Sequence, residues 1–174
     1  MENIPQKTNF IIVANHASYL DAMVIMAAVP EKIYCLALRF LYKTFLIGWF
    51  LQKVEALPVG SSSKKAVYLL KHNKNVGLFP EGGISRTGRL MEFRRGTALL
   101  AYKTGRPVVP CAICGTHEAL PLGKTIPRLH CIKIKIGKPL YLLKEFDEVI
   151  EDITLQEGTS RIRNAIRELL DGAR

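Results

Sequence analysis

At 174 residues, with 48% apolar and 23% charged side chains, the chain can bury a proper core as one domain, which excludes a disordered tail or a disulfide-stapled miniprotein. Lys and Arg number 25 against 15 Asp and Glu, so the formal charge of +10 calls for a polyanionic partner: nucleic acid, an anionic membrane or phosphate-bearing substrates. Cys35, Cys111, Cys114 and Cys131 sit in or beside apolar runs and read as buried free thiols, with only one CxxC and no second pair to complete a zinc site.

The first strand is expected near residues 10–14, where β-branched residues follow Asn9. A helix follows Ser18, beginning Tyr19-Leu20-Asp21 and ending at Pro30, and Lys32 to Leu38 reads as a second strand. Leu36 to Leu57 is the most apolar stretch, but Arg39, Lys43, Gln52, Lys53 and Glu55 interrupt it, so no transmembrane helix is expected. Its aromatic part, Tyr42 to Leu51, reads equally as a core helix or as one lying in a membrane interface.

A short strand over 54–59 and the Gly60-Ser-Ser-Ser turn lead to a helix from Lys64 to His72. The next strand, Asn75 to Pro80, opens into a glycine-rich loop from Glu81 to Gly88, and a helix from Gly96 to Thr104 stops at Gly105. Strands are expected at Arg106 to Ile113 and, with half-exposed alternation, at Leu129 to Ile136; a last helix covers about Leu155 to Leu170. Strands alternating with helices make an α/β fold with a largely parallel central sheet flanked by helices, and the absence of a repeat or linker makes residues 1–174 one domain.

Two strings carry chemistry, and both follow the carboxyl ends of strands, where open α/β sheets form their binding crevice. In Asn15-His16-Ala17-Ser18-Tyr19-Leu20-Asp21 the turn can bring imidazole and carboxylate together, the carboxylate fixing the tautomer while the other ring nitrogen takes a proton from a hydroxyl. Ser18 and Asp21 alternatively form a capping-box variant. In Phe79-Pro80-Glu81-Gly82-Gly83-Ile84-Ser85-Arg86-Thr87-Gly88 the glycines let a ligand approach the backbone, and Ser85, Arg86 and Thr87 offer donors to a phosphate. The competing reading of that loop is a plain surface turn.

These residues resemble the glycerolipid acyltransferases, which include glycerol-3-phosphate and lysophosphatidic acid acyltransferases. Asn15 to Asp21 matches their Asn-His-x-x-x-x-Asp block, Phe79-Pro-Glu-Gly a second block, and Val108-Val-Pro-Cys-Ala-Ile113 a strand with a central proline; together they span about residues 9–140. The resemblance implies the family fold, His16 as general base for the acceptor hydroxyl, Asp21 as its orienting partner, and Asn15, Glu81, Gly82, Ser85 and Pro110 in the acceptor site. No nucleophilic Ser or Cys is then needed. Gly83 and Ile84 depart from the family's usual Thr-Arg, so Lys64, Lys65, Arg86 or Arg94 is left to supply the charge for an acceptor phosphate.

The implied reaction moves a fatty acyl group from acyl-CoA or acyl-carrier protein to the hydroxyl of a lysophospholipid, foremost 1-acylglycerol-3-phosphate, at an anionic membrane surface on the cytoplasmic face. No cofactor, metal or nucleic acid is expected. Backbone amides near Gly82 or at the helix start after His16 are the expected oxyanion donors. Lysophosphatidylethanolamine is the alternative acceptor, and a non-catalytic lipid-binding module the alternative function. With only Met1 to Thr8 ahead of the first strand, an excised domain, a truncated member and a protein held to the membrane by its surface alone all stand open.

Overall fold

The computed structural model describes residues 2–38, 57–59, 64–143 and 151–173. Within them run β1 (Ile11–Ala14), α1 (Asp21–Ala28), β2 (Ile33–Leu38), β3 (Leu57–Val59), α2 (Lys64–Lys71), β4 (Asn75–Leu78), α3 (Gly96–Thr104), β5 (Val108–Cys114), α4 (Thr116–Ala119), β6 (Lys133–Ile136) and α5 (Asp152–Asp171). The strands form one sheet in the order β3-β2-β4-β1-β5-β6, parallel throughout except for β6, which pairs antiparallel with β5 at the edge.

β1 lies at the centre, and all four of its residues are fully buried, as a strand covered on both faces must be. Alternation divides the core. Ile11, Val13, Val76 and Val108 point to the face covered by α2, α3 and α5, with Leu70, Ala101, Ile162 and Ile166. Ile12, Ala14, Val109 and Cys111 point to the other, where Ile25 of α1 packs among them. β6 is the half-exposed edge, its lysines outward and its isoleucines partly covered.

Parallel pairing forces the carboxyl ends of β1, β2, β3 and β4 to one side, together with that of β5. The connections after β1, β4 and β5 therefore converge on one edge of the sheet, flanking its central strand. That convergence builds the site described below.

The expected α/β order holds, and most elements fall within a few residues of their expected ends. Gly105, at φ +63°, closes α3 by donating its N–H to the Ala101 carbonyl at 2.8 Å, the left-handed cap that a glycine allows. Four findings differ. Only Lys133 to Ile136 of the expected strand over 129–136 is paired, because the partner strand β5 ends at Cys114 and leaves residues 129–132 no ladder. The short helix α4 was not expected. α5 starts at Asp152, three residues early. Cys35 and Cys111 are buried, but Cys114 is half-buried and Cys131 exposed, since Cys131 lies in that unpaired stretch. The aromatic segment Tyr42 to Leu51, and residues 54–56 of the short strand, lie outside the described residues.

Candidate active site

His16 sits two residues past β1, where the chain leaves the sheet and turns into α1. Its Nδ1 lies 2.9 Å from Asp21 Oδ2. A carboxylate can only accept, so the proton belongs on Nδ1 and the lone pair on Nε2, which makes no hydrogen bond to the described residues. Phe79, at the end of β4, stacks on the imidazole with centroids 4.0 Å apart and planes 15° from parallel. The ring is thus held on one face and along one edge, with 18% of the side chain exposed.

Asp21 is fully buried, and its Oδ2 also accepts the N–H groups of Ala17 at 2.7 Å and Ser18 at 2.8 Å. Its Oδ1 is buried without a protein donor, a cost that stability alone does not explain. The reciprocal half of the capping box is absent. Ser18 Oγ instead donates to the Leu120 carbonyl at 2.7 Å and accepts from Leu20 N–H at 3.2 Å, tying the turn to the segment after β5.

The loop after β4 closes over this turn through Glu81. Its Oε1 accepts His16 N–H at 2.7 Å and its Oε2 accepts Met91 N–H at 3.0 Å, so one carboxylate spans both ends of the loop. Burial pushes the Glu81 carboxyl above its ordinary 4.5, and the hydrogen bonds from His16 and Met91 offset only part of that desolvation. Ser85, also buried, donates its N–H to the His16 carbonyl at 2.8 Å and its Oγ to the Arg89 carbonyl at 2.8 Å.

Gly82 has φ +74°, and a Cβ there would collide with the guanidinium of Arg94, which lies directly over it. Arg94 N–H bonds the Pro80 carbonyl at 2.8 Å, which holds its backbone beside the loop. Gly82→Ala must therefore bear left-handed strain and displace Arg94. The expected result is a loss of about 1–3 kcal/mol in urea unfolding, together with a raised KM for the acceptor in any turnover assay.

The remaining sequence candidates separate. Asn15 is buried and exchanges two hydrogen bonds with the backbone of Ile113, at 2.9 and 2.8 Å, so its amide braces β1 against β5. Pro110 is buried in β5, beside Gly137 and on the face that α5 covers, away from the His16 turn. Arg86 is exposed on the loop. Lys64 and Lys65 open α2, which packs against β4 and α3, and neither side chain meets His16, Asp21, Glu81 or Arg94 in a hydrogen bond or ion pair among the described residues. The structure brings together His16, Asp21, Glu81, Gly82, Ser85 and Arg94, and leaves Lys64, Lys65 and Pro110 outside that group.

The backbone N–H groups around the site divide into engaged and unengaged ones. Ala17 and Ser18 N–H are taken by Asp21, and Gly82 N–H by the Phe79 carbonyl at 3.2 Å. Gly83 and Ile84 N–H, next in the loop, have no internal acceptor among the described residues. Phe79, Met91 and Leu120 were missed. Phe79 alone had a visible signal, because period-two alternation puts it on the same side of β4 as Gly77, the side of α1. Burial pushes the Cys35 and Cys111 thiols up to about 12, so neither supplies a thiolate. Among the described residues no group of three His, Cys, Asp or Glu is placed to hold a metal ion.

A His–carboxylate couple at the carboxyl edge of a parallel sheet, roofed by a glycine loop, defines an α/β enzyme with a candidate base facing solvent. The chain belongs to the acyltransferase family, whose model matches residues 1–114, and is an O-acyltransferase. It is 30% identical over 175 residues to the 1-acyl-sn-glycerol-3-phosphate acyltransferase of Bacillus subtilis, covering 97% of this chain and 84% of that protein. A chloroplastic 1-acyl-sn-glycerol-3-phosphate acyltransferase of Arabidopsis thaliana is 29% identical over 95% of this chain, which spans 48% of that relative. The crystal structure of the 1-acyl-sn-glycerophosphate (LPA) acyltransferase PlsC from Thermotoga maritima matches with a TM-score of 0.77 and 29% identity, over 97% of this chain and 69% of that one.

Proposed function

We propose that the chain transfers a fatty acyl group from an acyl thioester, acyl-CoA or acyl-carrier protein, to the free hydroxyl of 1-acylglycerol-3-phosphate, giving phosphatidic acid. The observation that carries this reading is the His16–Asp21 contact, which leaves Nε2 with its lone pair and no hydrogen bond to the described residues. The names of the relatives supply the acceptor.

In this mechanism Nε2 takes the hydroxyl proton as the acceptor oxygen attacks the thioester carbonyl, and Asp21 stabilises the imidazolium that forms. The tetrahedral intermediate collapses with cleavage of the C–S bond. The departing thiolate recovers the proton from His16, so the products are phosphatidic acid and free thiol. Gly83 and Ile84 N–H are the loop donors available to the oxyanion. No covalent acyl-enzyme is needed, and no cofactor takes part.

Arg94 is the cation best placed for the acceptor phosphate. It lies over Gly82, and it forms no ion pair among the described residues, whereas its neighbour Arg95 is engaged by Asp152 at 3.0 Å. An arginine without a carboxylate partner keeps its donors for an incoming phosphate. Arg86 is the second cation of the loop. The enzyme works peripherally at the cytoplasmic face of the membrane, where its +10 charge favours anionic lipid.

The test is product analysis by mass spectrometry with a panel of lysophospholipids and both donor types. Phosphatidic acid is expected as the main product, and Arg94→Gln is expected to raise the KM for the phosphate acceptor about ten-fold or more with less effect on kcat. Preferential acylation of lysophosphatidylethanolamine would replace the acceptor assignment. Ligand retention without turnover would make the protein a lipid-binding module.

A further inference from the structure

After α4 the chain leaves the sheet and does not rejoin it until β6. From Gly123 to Lys133 every residue is exposed. Three of them are large and apolar: Ile126 at 80%, Leu129 at 106% and Ile132 at 39% exposure. Single exposed aliphatic residues are ordinary, but three within seven positions, Ile126 and Leu129 almost wholly uncovered and Ile132 partly so, mark a contact surface.

The charge around them has one sign. No Asp or Glu occurs between Glu118 and Glu145, while Lys124 and Arg128 alternate with the apolar positions. Neither cation has a hydrogen-bonding or ionic side-chain partner among the described residues. Arg128 N–H bonds the Ala119 carbonyl at 2.7 Å, so the loop is folded back on its own base rather than trailing.

Its location is fixed by contacts on both sides. The Leu120 carbonyl at its base receives Ser18 Oγ at 2.7 Å, and the His117 ring of α4 packs on Gly88 of the glycine loop. The base of the loop therefore stands at the same edge of the sheet as His16.

We propose that residues 123–132 are a membrane-docking loop that inserts Ile126, Leu129 and Ile132 among the lipids of an anionic bilayer while Lys124 and Arg128 bind phospholipid phosphates. Aliphatic tips gain from entering the acyl boundary, and basic side chains at the rim reach phosphates without losing their solvation. An acidic protein would satisfy the cations but leave the apolar tips unexplained, and an apolar protein surface the reverse. The inference rests on the reading that the acceptor is a membrane lipid, and it gives the site a route to it: the loop would seat the bilayer next to His16.

Vesicle flotation tests it without depending on turnover, so loss of the acyl-transfer reading would leave the result interpretable. The wild-type chain is expected to float with vesicles of phosphatidylglycerol and phosphatidylcholine and to bind pure phosphatidylcholine far more weakly. Ile126→Ser with Leu129→Ser should weaken binding to the anionic vesicles at least ten-fold. Lys124→Ala with Arg128→Ala should weaken it about five-fold per charge, with a smaller loss at high salt. Both double variants should keep wild-type transfer to a short-chain acceptor dissolved below its micellar concentration. Three results would overturn the proposal: wild-type flotation by the Ser variant, loss of transfer to the dissolved acceptor, or wild-type self-association that the Ser substitutions abolish, which would make the covering partner a second copy.

Discussion

His16→Ala is expected to lower acyl transfer at least 1000-fold while the protein stays folded. The imidazole supplies the proton acceptor for the hydroxyl, and a positioned general base contributes about 10²–10⁴ in rate. Little of the fold depends on the ring, since the bonds that anchor residue 16 run from its N–H to Glu81 and from Ser85 N–H to its carbonyl, and alanine keeps both. Circular dichroism and urea unfolding should therefore stay close to wild type. Asp21→Asn is the companion variant. Its amide oxygen can take the place of Oδ2 and still accept from Nδ1, Ala17 and Ser18, but it brings no negative charge to stabilise the imidazolium that forms. A loss of about 100-fold or more in kcat is expected, and wild-type turnover of a folded His16→Ala protein would end the mechanism.

Glu81→Gln should act on stability and on rate together. The glutamine oxygen can accept from His16 N–H or from Met91 N–H, but its NH2 then faces the other as a second donor. Losing one charge-assisted bond in a buried site costs about 1–3 kcal/mol, and release of the loop that carries Gly82 should reduce transfer about ten-fold or more. The pH dependence has a definite sign. Burial raises the folded carboxyl above 4.5, so the native state holds that proton more tightly than the unfolded chain. This contribution to stability is full below the unfolded value and is lost as pH rises through the raised one. Unfolding free energies of wild type and Glu81→Gln, measured across that window, should show the wild-type advantage shrinking with rising pH. A constant difference would mean that Glu81 titrates as an ordinary carboxyl.

Much of the site was legible because its chemistry is local. His16 and Asp21 lie five positions apart in one turn, and the glycines that free a loop to close over a ligand are adjacent in the chain. The roles of Asn15 and Ser85 were less visible. Both read as ligand contacts, yet Asn15 is spent on the backbone of Ile113, 98 residues away, and Ser85 on the His16 carbonyl. The same limit applies to Ala17 and Ser18 N–H, whose engagement by Asp21 Oδ2 only the folded turn reveals.

Sequence alone determined the alternation that makes a parallel α/β sheet, the two loops at strand carboxyl ends and the residue types in them, because periodicity, glycine and proline act over a few neighbouring residues. Tertiary structure decided which charges reach the site: Arg94 is brought over Gly82, while Lys64 and Lys65 open a helix packed on β4 and α3 and form no bond with the His16 group, a matter of packing that no local pattern encodes. It also decided that Leu129 stands in solvent instead of in a strand, since β5 ends before it could pair. The +10 charge was plain from the first count of residues. Only the fold gathers part of it beside His16, because β1, β4 and β5 are neighbours in space and not in sequence.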